Sequence, residues 1–166
     1  MCRFSRTTLC LLLLTACTFT TASTRAASEP PAPEVVVRAF NAAISGRDLD
    51  AALATLATGA VNFNFGSVHG FSTSQGAAEP LTSDLALHWR TVAPVLYSAS
   101  RRYERRVEQA TTHVDGTLAM VWTRLRTTTE PKSGDARILE FAETYLLRLD
   151  KGEWKIAGIA NARPTR

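Results

Sequence analysis

Apolar residues recur at helical spacing from Glu34 to Ser45, where Val36, Val37, Phe40, Ala43 and Ile44 form one stripe. Gly46 ends this helix. Asp48 is suited to cap a second one, predicted through Ala57 with Leu49, Leu53 and Leu56 on one face and Gly59 as its stop. The period then drops to two, and Val61-Asn62-Phe63-Asn64-Phe65 alternates as a half-buried strand does. A third helix is expected from a cap at Thr82 or Ser83 to about Ala93, with Leu85, His88, Trp89 and Val92 on one face and Pro94 ending its regular course. The remainder reads as β. Arg101 to Val114 and Thr117 to Thr129 flank an Asp115-Gly116 turn, and Glu130 to Asp135 forms a longer polar turn. Glu140 to Leu149 and Trp154 to Ala162 flank Asp150-Lys151-Gly152, where Gly152 supplies the positive φ of a tight hairpin. The order helix, helix, strand, helix and then three or more long antiparallel strands predicts an α+β domain, its helices on one face of a curved sheet.

Two stretches lie outside this pattern. The N-terminus has a basic Arg3 and Arg6, then the short apolar run Leu9 to Leu14, well under the roughly 20 residues of a membrane-spanning helix. It reads as an export signal. Leu14-Thr15-Ala16-Cys17 resembles a lipobox, which would make residues 1–16 a lipoprotein signal peptide and Cys17 the site of lipid attachment; an ordinary cut after Ala26 is the alternative. Residues 17–33, rich in Thr, Ala, Ser and Pro, read as a flexible tether, leaving the domain at 34–163. Gly66 to Leu81 carries three glycines and Pro80 without clear periodicity. It is expected to be either a variable surface excursion or a cover over a pocket, with Val68 to Phe71 as a short strand within it.

Composition narrows the chemistry. The formal charge of +4 falls by two when Arg3 and Arg6 leave, too little and too scattered for nucleic-acid binding. Arg101, Arg102, Arg105 and Arg106 cluster, but Glu104 and Glu108 interrupt them, so the run reads as a solvated strand edge. All three cysteines, Cys2, Cys10 and Cys17, precede the domain, which therefore holds no disulfide, thiol nucleophile or cysteine metal site. His69, His88 and His113 have no metal-ligand spacing, and no phosphate loop, nucleotide fingerprint or nucleophile elbow is present. No metal or cofactor is expected.

The candidate site residues are few. His88 shares the apolar face of the third helix and either lines a pocket or is a satisfied boundary histidine. His69 falls in the glycine-rich stretch and His113 at a hairpin tip. Glu143 shares a strand face with Leu139, Phe141, Tyr145 and Leu147, so it is either a catalytic carboxylate or half of a buried ion pair, for example with an arginine on the neighbouring strand. Tyr145 is core first and a possible hydrogen-bond donor second. Asn62 and Asn64 either face solvent or line a polar pocket. Trp89 and Trp122 are candidates for its wall, although aromatics at such spacing are ordinarily core.

In combination these features resemble the nuclear transport factor 2-like superfamily, in its SnoaL-like branch. The resemblance is carried by Val36 to Ala43 followed by Gly46-Arg47-Asp48-Leu49-Asp50, by Gly59-Ala60-Val61-Asn62-Phe63, and by the closing Gly152-Glu153-Trp154-Lys155-Ile156. It covers about residues 34–163. It implies a cone in which three N-terminal helices pack in a curved antiparallel sheet around a pocket, and a homodimer through the convex sheet face. Enzymes and non-catalytic binding proteins share this fold, so the fold does not choose between them. Enzymatic relatives tend to place an Asp, His or Tyr in the pocket. Here the first strand carries Asn62 and Asn64, and Gly158 to Arg163 lacks the histidines found after the "W-K-I" step in many relatives. The expectation is therefore an envelope-located module that binds a small apolar or amphipathic ligand, or mediates interactions, while anchored to the membrane through Cys17. One rival is a cofactor-independent isomerase, dehydratase or cyclase using His88, Glu143 and Tyr145. The other is a structural homodimer with a filled pocket.

Overall fold

The computed structural model describes residues 30–65 and 81–163. The predicted signal peptide, Cys17, nearly all of the tether, His69 and most of the Gly66–Leu81 stretch lie outside the described residues. Among the described residues the order is α1 (Pro33–Ser45), α2 (Leu49–Ala54), β1 (Leu56–Asn64), β2 (Leu81–Thr82), α3 (Leu85–Ala99), β3 (Ser100–Asp115), β4 (Leu118–Pro131), β5 (Arg137–Asp150) and β6 (Glu153–Asn161). The strands form one curved, unclosed sheet ordered β2-β1-β6-β5-β4-β3, and the helices lie against its concave face.

Burial follows the sequence pattern. On α1, Val37, Phe40, Asn41 and Ile44 face the sheet, and Pro33 starts the helix where a missing N–H costs nothing. On β5 the parity places Phe141, Glu143, Tyr145 and Leu147 inward. The closing hairpin turns on Lys151 at φ 51° and Gly152 at φ 83°, the two positive values of a type I′ turn.

Three boundaries differ from expectation. The second helix stops at Ala54 rather than Ala57 because the next residues are claimed by the sheet: the Ile156 N–H donates to the Thr55 carbonyl at 2.9 Å, and Leu56 pairs with Ile156. Gly59, expected as a helix stop, instead sits within β1 at φ 77°, where the register against β6 shifts between Leu56 and Val61. The third helix is capped by Asp84, whose carboxylate accepts from Leu87 N–H at 2.8 Å, and it runs through Pro94 to Ala99. Pro94 lies on the exposed side. The turn after it is held by Leu96 against the core and by the Tyr97 hydroxyl, which donates to the Ile44 carbonyl at 2.9 Å. The sheet also has one parallel pair, β1 with β6, in place of the purely antiparallel pairing expected. The last strand thus lies alongside the first, inside the sheet rather than at its edge.

Candidate functional site

The side chains that matter arise from strands β1, β3, β5 and β6 and from one face of α3. Pairing aligns Asn64, Asn161, Glu143 and Thr123 in one cross-strand row and Asn62, Ile159, Tyr145 and Val121 in the next, all pointing inward. α3 lies over these rows with Leu85, His88, Trp89, Val92 and Leu96. A cavity of about 310 Å³ remains between them. Its floor and inner walls are buried: Tyr103, Arg105, Phe141 and Glu143 below, with Ile159, Leu85 and Trp89 at the sides. Its rim is half-exposed and mostly polar, formed by Asn62, Asn64, Thr82, His88, Asn161 and Arg163.

The floor is organised by Arg105. Strand parity turns Tyr103, Arg105 and Val107 inward, so the arginine leaves the solvated run of its neighbours and is only 7% exposed. Its Nη2 donates to both Glu143 oxygens, at 2.8 and 2.6 Å, across the intervening strand β4. Its Nε donates to Asn41 Oδ1 at 2.7 Å. The Asn41 amide in turn donates to the Tyr145 hydroxyl at 2.8 Å and to the Val37 carbonyl at 2.9 Å. The Arg105 main chain is held as well, its N–H donating to Ser45 Oγ at 2.8 Å. The guanidinium also lies 5.7 Å from the Trp89 ring centre.

This network sets the electrostatics. Burial by itself opposes the Arg105 charge, but Glu143, with the Tyr103 and Tyr145 hydroxyls, outweighs it and holds the guanidinium well above its ordinary pKa. Burial, and then the neighbouring Glu143 carboxylate, push the Tyr145 hydroxyl well above the usual tyrosine value. Tyr145 is therefore a neutral hydrogen-bonding group. Both Glu143 oxygens are held by the Arg105 guanidinium, so the floor is a rigid polar surface whose charges are matched internally. The Trp89 indole N–H, sealed in the wall, meets no acceptor among the described residues.

By sequence, no family model and no curated protein matches the chain. By structure, the chain is similar to a ketosteroid isomerase-like protein from Erwinia carotovora atroseptica, at 16% identity and a TM-score of 0.61 over 84% of this chain and 98% of that one. It is also similar to a nuclear transport factor 2-like protein of unknown function from Pseudomonas putida, at 17% identity and a TM-score of 0.60 over 80% and 84%. A candidate scytalone dehydratase from Novosphingobium aromaticivorans matches at 9% identity and a TM-score of 0.63 over 80% and 81%. The chain has the nuclear transport factor 2-like cone fold. At these identities the likeness shows the fold, and the site must be argued from its own residues.

Within that cone, Asn62, Asn64, Trp89, His88 and Glu143 come together at one cavity. Tyr145 does not line it; the side chain is fully buried behind Arg105 and Glu143. Trp122 does not line it either. It stands 36% exposed on the opposite face of the sheet, because its parity on β4 is that of Met120 and Leu118 rather than that of Val121 and Thr123. His113 is exposed on β3 near the β3–β4 turn. The partner of Glu143 is an arginine two strands away rather than on the neighbouring strand. Arg105, Asn41, Asn161 and Arg163 were not singled out from the sequence as site residues. Parity with Tyr103 and Val107 signals the inward turn of Arg105, and a polar residue between Val37 and Ile44 on the buried stripe signals Asn41.

His88 is the titratable rim group with no polar partner among the described residues. Its imidazole stacks edge-on against Trp89 at 6.0 Å, and burial lowers its pKa below the usual value near 6.5. Because the folded form binds its proton less readily than the unfolded chain, its neutral state favours folding above pH 6.5, and that contribution is lost as pH falls through 6.5 towards the lowered value. The C2 proton resonance of His88 should titrate below pH 6.5 by NMR. A midpoint at or above 6.5 would contradict its partial burial beside Trp89.

Proposed function

We propose that this domain is an exported binding module that holds a small amphipathic molecule in the cavity under α3. The observation that carries this reading is the combination of an open cavity with a floor whose charges are already satisfied. A volume of about 310 Å³ is at the lower end of the ~300–1,000 Å³ usual for ligand pockets. It argues against an interior filled by the domain's own side chains. The internal matching of Arg105 and Glu143 argues against a floor built for proton transfer. A cofactor-independent acid–base enzyme is the second reading. His88, uncharged at neutral pH and at the rim, is the one observation that favours it, since a neutral imidazole can accept a proton.

The export and anchoring parts of the proposal rest on Arg3, Arg6, the Leu9–Leu14 run and Cys17. A homodimer rests on the convex face. There Thr111, Trp122, Thr144, Ala160 and Phe63 stand side by side across five strands, next to His113, Met120, Leu146, Gly158 and Val61. Trp122, Met120, Leu146 and Phe63 are each 36–45% exposed there, a contiguous apolar surface of the kind that mediates association. Its proposed occupant is the same face of a second copy.

Native mass spectrometry of protein released gently from its own envelope tests these points together. The expected spectrum is a dimer with an acylated Cys17 and a bound small molecule. Val92→Trp, which fills the cavity from its half-exposed wall, should lose the small molecule and keep the dimer. Trp122→Glu should do the reverse. Equal adducts on wild type and Val92→Trp would sink the cavity reading, and a free Ala27 without acylation would sink the anchor. Substrate turnover lost in His88→Asn would favour the enzyme.

A further inference from the structure

The hydrogen-bonding capacity at the cavity rim is not balanced. The Oδ1 of Asn62 accepts from Asn161 Nδ2 at 3.4 Å, and the Oδ1 of Asn161 accepts from the Arg163 main-chain N–H at 3.3 Å. Both of these carboxamide oxygens are thus engaged within the rim, which among the described residues leaves the Asn62 NH₂ as an unspent donor. Arg163 adds a guanidinium. That group lies 5.8 Å from the Phe141 ring centre, and no carboxylate pairs with it among the described residues. Deeper in, Glu143, the only carboxylate lining the cavity among the described residues, is already consumed by Arg105. Among the described residues, the cavity therefore presents the positive charge of Arg163 and the Asn62 donor at the rim, above apolar walls from Leu85, Val92 and Ile159. A ligand that completes this arrangement brings acceptors and negative charge to the rim and an apolar body to the interior.

We infer that the ligand is a small organic carboxylate with an apolar body, its carboxylate held by the Arg163 guanidinium and the Asn62 amide. This rests on the small-molecule reading above and specifies its ligand class. A cation is disfavoured because, among the described residues, no free carboxylate lines the cavity to receive it. A purely apolar compound would leave the rim donors as they are and forgo the charge-assisted bonds that Arg163 can form.

The test uses three probes of matched shape: phenylacetate, phenylacetamide and phenethylamine, titrated calorimetrically into the mature protein. Phenylacetate should bind about tenfold more tightly than phenylacetamide, the scale of one charge-assisted hydrogen bond, and phenethylamine more weakly still. Arg163→Gln should weaken phenylacetate far more than phenylacetamide, and so abolish the preference for the anion. Asn62→Asp, which keeps the acceptor used by Asn161 but adds a rim carboxylate, should shift the preference towards phenethylamine. Equal binding of the anion and the amide to wild type would overturn the carboxylate inference and leave the binding reading standing. Binding of none of the three, with Val92→Trp indistinguishable from wild type in its native adducts, would remove both.

Discussion

Arg105→Met should destabilise the domain by about 3–5 kcal/mol, measured by urea denaturation at pH 7. The change leaves Glu143, 2% exposed, as a buried charge without a counterion. It also takes the Nε donor from Asn41 Oδ1, so two acceptors lose their partner at once. Glu143→Gln should cost a similar amount from the other side, because the guanidinium then keeps its charge against a neutral amide. The double variant Arg105→Met with Glu143→Leu should be less destabilised than the two single losses added together, since it removes both charges. What remains of its cost comes from Asn41, whose Tyr145 and Val37 bonds persist while its Oδ1 stays unsatisfied. The effect should be nearly independent of added salt, in contrast to the exposed pair of Arg102 with Glu104. A single-variant loss below about 1 kcal/mol would show that the pair is solvated and that the cavity floor is not the rigid surface described.

That network shows how far the sequence could be read. Alternation along β5 placed Glu143 among apolar residues, and a carboxylate so placed demands a partner, so a buried ion pair was one of two legible outcomes. The identity of the partner was not legible from adjacency. Arg105 pairs with Thr127 and Glu143 with Thr123, both on β4, and their side chains meet only because the concave sheet brings β3 and β5 together above it. The run Arg101-Arg102 and Arg105-Arg106 also concealed the site, because a dense charge cluster looks solvated as a whole while a strand divides it by parity. Trp122 failed for the same reason in reverse: an aromatic on an alternating strand is inward or outward by position, and hydrophobicity alone does not say which. The helix ends were misplaced where tertiary contacts outweighed local signals, as Leu56 paired with Ile156 of β6 and Tyr97 carried α3 past Pro94. The hairpins, by contrast, were set by local turn chemistry and fell within a residue of expectation: Asp115 pairs with Leu118 around Gly116-Thr117, and Asp150 with Glu153 around Lys151-Gly152.

Phe40→Ala should cost about 3–5 kcal/mol and also loosen the cavity wall. Phe40 is fully buried on α1 and stands edge-on to two rings, Trp89 at 5.9 Å and 77° and Tyr145 at 6.3 Å and 71°. Those contacts join the helix to both parts of the site. Trp89 is part of the cavity wall on α3, and Tyr145 supports Asn41 behind the Arg105–Glu143 floor. Removing the ring deletes apolar burial and leaves a void that α1 cannot close without dragging Asn41, one residue on, away from Arg105 and Tyr145. Phe40→Leu, which keeps most of the volume, should lose far less, about 1–2 kcal/mol. The functional readout separates this from a simple stability loss. At temperatures where the Ala variant is still folded, phenylacetate affinity should fall because Trp89 has lost its backing, whereas in the Leu variant it should stay near wild type. A Phe40→Ala protein that unfolds earlier but binds the probe unchanged would mean that Trp89 is held by α3 and Arg105 alone, and that α1 supports the fold without shaping the site.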